Sequence, residues 1–274
     1  MQIIKTLNLI EEIGTDGHSP LKFQCEDFAV YYAKYRSGVS LKTEEIDCLF
    51  YEVVCKRLLD ALKVPTPDLV IIEIAANSFK KEQLDKHKKF CKPGALYLGA
   101  KEIKNVDVVQ SISPIQNKRV FNQLHNPYDL VKIALFDLWV NNCDRGRSDN
   151  YNLLIQHNGK SSTYYAFDHA FCFGGLAHLR MFHSTLPFNT QDKFHKSSYF
   201  RKILPFLDKQ KAKIIVDNFI SLTSNEINLI ISEAFDDCPE KWQIPVSIKQ
   251  RVLAFLTEQS RITHVQQTIW ATLK

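Results

Sequence analysis

The sequence predicts an α+β chain of two lobes: a small N-terminal lobe rich in strands, residues 1–115, and a larger, mainly helical C-terminal lobe, residues 116–274. Three observations predict it. The first third alternates short aromatic and β-branched runs with Gly/Pro turns. From Pro127 onward apolar residues recur at helical spacing. Within the second region a helix, a polar loop and a hairpin follow one another from Tyr128 to Phe173.

Composition sets the bounds. Of 274 residues, 45% are hydrophobic and 24% charged, an ordinary globular balance that allows one large domain or two lobes. The longest apolar runs are too short for a membrane span. The opening MQIIKTLNLIEEIG carries acidic residues and no small-residue cleavage site, so it does not read as a signal peptide and a cytoplasmic chain is expected. The net charge of +5 is spread out and compatible with an anionic ligand. Its densest cluster, Lys80 to Phe90, reads as a solvated helix face, so direct nucleic-acid binding is not expected. Seven cysteines without a CxxC pair are neither a disulfide framework nor a zinc site; reduced, mostly buried thiols fit.

The elements follow in order. Gly14 to Phe23 reads as a turn between two strands, and Phe28 to Tyr35 as a strand. A helix is expected from Thr43, a plausible N-cap, to Leu62, with Ile46, Leu49, Val53 and Leu59 close to one stripe. Val64 to Pro67 stops it, and Asp68 to Ile74 is a buried strand. Residues 75–127 carry little pattern. Asn126-Pro127 opens a helix whose face holds Val131, Leu135 and Leu138. Beyond Phe173 helices are expected at 200–219, 224–235 and 247–256.

The loop after Val140, NNCDRGRSDNYN, concentrates Asp, Asn and Arg, and Asp168 follows inside an apolar run. His157 to Ser162 reads as the turn of a hairpin between them. Phosphoryl transfer needs such a set: an Asp to orient the acceptor hydroxyl, then an Asn and a second Asp to hold Mg²⁺ through oxygen atoms. Asp144 opens the loop, Asn150 and Asn152 close it, and Asp168 stands at the end of the hairpin. Turn chemistry alone explains two or three of these residues but not Asp168.

This segment resembles the core of HipA-like kinases, a distant branch of the protein-kinase-like fold, and is similar to the corresponding loop of type II phosphatidylinositol 4-kinases. The resemblance implies a bilobal protein-kinase-like fold and an ATP- and Mg²⁺-dependent kinase. Upstream it assigns Gly14, Gly17, His18 and Ser19 to the turn over the nucleotide phosphates, although that turn is not a GxGxxG. It assigns Lys34 to the strand position that contacts phosphates and Glu52 to the helix position that pairs with it. Asp144, Lys34 and Glu52 are then the catalytic set, and Asn150, Asn152 and Asp168 the metal set. Asn150 lies one residue further from Asp144 than the family spacing, so the metal-binding amide stays open: Asn150 is the first choice and Asn152, directly before LLI, stands close behind. The resemblance covers roughly residues 10–175. It implies a protein Ser/Thr acceptor of unknown identity and an antitoxin-type partner, and its lipid-kinase side weakens the choice of acceptor.

Each residue has a plainer reading: Lys34 and Glu52 as solvated side chains, Asp168 and His169 as strand-end groups. Arg145 and Arg147 fit phosphate, or pairing with Asp149. Two other functions remain open, a nucleotide-binding module without transfer activity and a metal-dependent phosphoesterase.

Overall fold

The computed structural model describes residues 1–14, 19–35, 44–110, 115, 117–146, 150–173, 193–219 and 221–274. Five strands form a closed barrel: β1 (Ile3–Glu12), β2 (Leu21–Cys25), β3 (Val30–Lys34), β4 (Leu69–Glu73) and β5 (Leu96–Lys101), in the order β1-β2-β3-β5-β4. All pairings are antiparallel except β1 with β4, which closes the barrel in parallel. Alternate residues point inward, as the period of two requires, so Ile4, Leu9, Leu21, Phe23, Ala33 and Ile72 make its core. Gly99 on β5 is needed for this packing. A Cβ there would sit 2.3 Å from Ile72 Cδ1 and 3.2 Å from Val70 Cγ2.

Between β3 and β4 lies α1 (Glu44–Ala61), close to the expected helix; its proposed cap Thr43 is outside the described residues. Nearly all of it is buried, including Leu49, Val53, Cys55 and Leu58. A helix apolar on every side has to be covered on every side. The barrel covers one face, and the core of the helical lobe covers the rest. Phe50 packs edge-on against Phe235, and Arg57 bonds Glu233 at 2.6 Å and Asp237 at 2.8 Å. The helix ends where Lys63 turns left-handed (φ 56) before Pro65 and Pro67.

The chain leaves the barrel after Lys101. β6 (Val106–Gln110) pairs with β7 (Asn150–Asn158), not with the barrel, in a sheet completed by β8 (Ser161–Ala166). By strand pairing, the barrel's own residues thus end ahead of position 115. The β7–β8 hairpin turns at Gly159 (φ 63), within the stretch expected to turn. A short α2 (Lys118–Asn122) precedes α3 (Asp129–Trp139), which is buried along most of its length and anchored by Trp139 Nε1 donating to Leu256 O at 3.0 Å.

The tail is helical. The single helix expected at 200–219 is instead α4 (Ser198–Ile203), a 3-10 turn through Pro205, and α5 (Lys209–Asp217). Proline cannot donate to a helical ladder, and Asp208 restarts it by accepting from Lys211 N. α6 (Ser224–Asp237), α7 (Val246–Thr257) and α8 (Gln259–Leu273) follow. Thr223 and Glu226 form a capping box at the start of α6. The arrangement is the expected α+β one, with a strand-rich N-terminal region and a helical C-terminal part.

Candidate active site

Lys34, the last residue of β3, points its ammonium at two carboxylates. Nζ lies 2.7 Å from Glu52 Oε1 and 2.8 Å from Asp168 Oδ1. Three elements far apart in sequence, the end of β3, α1 and the end of the hairpin, meet at this nitrogen. Burial alone would lower the Lys34 pKa; Asp168 and Glu52 together outweigh it and hold the ammonium firmly protonated. Burial pushes the Glu52 carboxyl above its ordinary range while Lys34 pulls it back. The other Glu52 oxygen accepts from the backbone N–H of His169 at 2.9 Å. The solvated readings of Lys34 and Glu52 are thereby excluded.

Asp144 lies on the loop after α3. Asn141 (φ 51) breaks the helix, and Asn142 Oδ1 accepts from the backbone N–H of Asp144 at 3.0 Å. The side-chain amide of Asn152 donates to Asp144 Oδ2 at 2.7 Å. The other amide candidate is placed differently. Asn150 opens β7 and pairs with Gln110, so the loop has already ended there. The strand backbone is interrupted at Asn152 itself (φ 47), beside a register shift against β6. Asp168 is left-handed too (φ 56). Asn and Asp tolerate this conformation better than most residues, and such strain gathers at functional sites.

Beneath these groups lies Arg145, fully buried. Its Nη1 bonds Asp137 Oδ1 of α3 at 3.0 Å, and Nε donates to Tyr151 O at 2.8 Å. Nη2 reaches Phe167 O at 2.9 Å, Asn152 O at 3.3 Å and His169 Nε2 at 3.2 Å. A guanidinium only donates, so His169 Nε2 is the acceptor and the ring is neutral. Burial, with Arg145 nearby, holds its pKa well below the ordinary value. Arg145 is therefore a buried anchor and not a group facing phosphate. Arg147 and Asp149 lie outside the described residues.

The chain that re-enters at Lys193 braces the loop from the other side. Lys193 Nζ donates to Asn141 Oδ1 at 2.9 Å and to Asn142 O. Gly146 (φ 109) passes so close to this segment that a Cβ would lie 2.6 Å from Lys193 C and 2.8 Å from Phe194 N. The glycine of the Asp-Arg-Gly run is thus fixed by contact as well as by conformation.

Not every expected residue joins this group. Gly14 and Ser19 line a cleft of about 410 Å³ with Glu12, residues 82–86 and Lys88, whose walls include none of Lys34, Glu52 or Asp168. Gly17 and His18 lie outside the described residues. The sequence reading also missed Asp137, Asn142 and Lys193. A signal existed for Asp137, a carboxylate between Phe136 and Leu138 that has to find a buried partner.

The donors Asp144, Asn152 and Asp168 offer carboxylate and amide oxygens, the chemistry that suits Mg²⁺. Among the described residues no three His, Cys, Asp or Glu side chains are grouped to cage a metal. Mg²⁺ in general needs only one or two protein carboxylates beside phosphate oxygens.

A model of the HipA-like kinase family matches residues 9–264. Among solved structures, the Helicobacter pylori proinflammatory kinase CtkA superposes with a TM-score of 0.55 at 13% identity, covering 99% of both chains. The golgi casein kinase gives 0.52 at 14% identity, covering 99% of this chain and 73% of that one. A search of curated proteins found no match. At these identities the two structures speak for a kinase-like fold. The family match spans nearly the whole sequence, barrel, loop, hairpin and helical tail together, and the chain belongs to the HipA-like kinase family.

Proposed function

We propose that the chain is an ATP- and Mg²⁺-dependent kinase that transfers the γ-phosphoryl group to a protein Ser or Thr hydroxyl. The observation that carries this reading is the convergence of Lys34, Glu52 and Asp168 on one ion-pair cluster. Lys34 contacts the nucleotide phosphates, and Glu52 fixes its reach. Asn152 and Asp168 hold the metal, which when bound neutralises charge on the phosphates. Asp144 orients the acceptor hydroxyl and takes its proton; the Asn152 amide fixes the direction of that carboxylate. Most of the rate then comes from positioning and charge neutralisation. The family membership supports an antitoxin-type partner as well, and the absence of any long apolar helix among the described residues leaves the reading without a membrane span.

The test is transfer of label from γ-labelled ATP with Mg²⁺ to protein Ser/Thr acceptors, alongside calorimetric titration of ATP. Transfer supports the kinase. Mg²⁺-dependent ATP binding without transfer to any acceptor leaves a nucleotide-binding module, and release of phosphate from a monoester without ATP binding makes it a phosphoesterase.

A further inference from the structure

Arg145 is absorbed by no step above, yet it is the most connected buried side chain at the site. A buried Arg–Asp pair is ordinarily a core fixture, and that plainer account predicts only stability. Its other contacts are more specific. Nη2 bridges the carbonyls of Asn152 and Phe167, and Phe167 N itself donates to Asn152 O at 3.1 Å. One of these carbonyls belongs to Asn152, and the other opens the peptide that leads into Asp168. Both residues are left-handed, a conformation that needs outside support to persist. The same nitrogen reaches His169 Nε2, and the His169 backbone N–H reaches Glu52. Nothing but a planar fork spans these acceptors while holding Asp137; an ammonium is a point donor and cannot.

We infer that Arg145 is a positioning residue for metal binding: it sets the separation and backbone conformation of Asn152 and Asp168 from beneath, with Asp137 holding the fork in place. This rests on the reading of Asn152 and Asp168 as metal-holding residues.

Titration of ADP across a Mn²⁺ series, with melting curves, tests it in wild type, Arg145→Lys and Asp137→Asn. Arg145→Lys should raise the Mn²⁺ concentration for half-maximal ADP binding by about 10–100-fold, the usual loss when an outer partner of a metal ligand is removed. Affinity should recover towards wild type at saturating Mn²⁺. Asp137→Asn, which keeps the guanidinium, should shift it less. A lower melting temperature with unchanged Mn²⁺ dependence would reduce Arg145 to a core fixture and overturn the inference. If Arg145→Lys does not fold, Asp137→Asn decides alone: a shifted Mn²⁺ dependence supports the inference, and a wild-type one rejects it. Wild-type protein that binds no ADP at any Mn²⁺ concentration would remove the proposed function and this inference with it. That result is distinct from variants that bind as wild type does.

Discussion

Asn152 donates its side-chain amide to the carboxylate of Asp144 at 2.7 Å, across eight positions of sequence. The contact favours Asn152 over Asn150, the first choice on spacing. Asn152→Ala should cost far more activity than Asn150→Ala, and raising Mg²⁺ should recover part of the loss. Activity over a Mg²⁺ series for both variants checks this; a larger Mg²⁺-sensitive loss at Asn150 would reverse the assignment.

Asp144→Ala should bind ATP nearly as well as wild type and lose about 10²–10⁴-fold in transfer rate, since a group that acts on the acceptor proton contributes in the transition state. Calorimetry and a γ-label assay on the same preparation read the two effects apart. Transfer at the wild-type rate would take the role away from Asp144.

Asp168→Ala removes an oxygen donor and one of the two carboxylates on Lys34. The fold should persist, because Glu52 still pairs the ammonium. Metal-dependent ATP affinity should be lost while weak metal-free binding survives. Unchanged affinity with Mg²⁺ would place the metal elsewhere.

Gly146→Ala should be damaging out of proportion to one methyl group. The φ of 109 is strained for an L side chain, and the new carbon would press on backbone at Lys193 and Phe194, which has no rotamer with which to yield. A loss of about 1–3 kcal/mol is expected, read by denaturant titration, together with reduced transfer because Asp144 lies two positions away. A variant as stable as wild type would mean that the 193–194 backbone moves aside freely.

His195, next to the Lys193–Phe194 segment that braces the loop, offers a pH test of stability. It is buried without a hydrogen-bond partner among the described residues, and burial lowers its pKa from the ordinary 6.5 to about 4. The folded state favours the neutral ring, so its contribution is fully present above 6.5 and is lost as pH falls from there towards 4. Thermal melting should fall over that window in wild type and fall less in His195→Gln. Parallel curves for the two proteins would assign the acid sensitivity elsewhere.

Sequence legibility followed range. The β7–β8 turn is written in Asn158-Gly159, and the chemistry of the Asp144 loop lies in neighbouring residues, so both read locally. Lys34, Glu52 and Asp168 were ordered by analogy to a family, and their meeting at one nitrogen depends on three separate elements. β5 and β6 were not legible. The small residues Gly99 and Ala100 weaken the β5 pattern, and Gly99 is small because Ile72 of another strand occupies the space. For Arg145 the sequence offers phosphate, which suits a guanidinium fork, or pairing with Asp149; its burial against Asp137, Tyr151 and Phe167 is announced by no local pattern. Pro205 splits the helix expected at 200–219, because proline cannot donate to the helical ladder.

Glu52 rides on a helix that the larger core has claimed. Swinging α1 outward would strip Leu49, Val53, Leu58 and Phe50 from their neighbours, at about 1.5–3 kcal/mol for each large side chain, and would break the Arg57 bonds to α6. The sum exceeds what a binding event or a single modification ordinarily supplies to shift an equilibrium. The helix is therefore a keystone and not a lever. The Lys34–Glu52 pair is the resting arrangement of the folded chain, and α1 is ill-suited to serve as its on–off element.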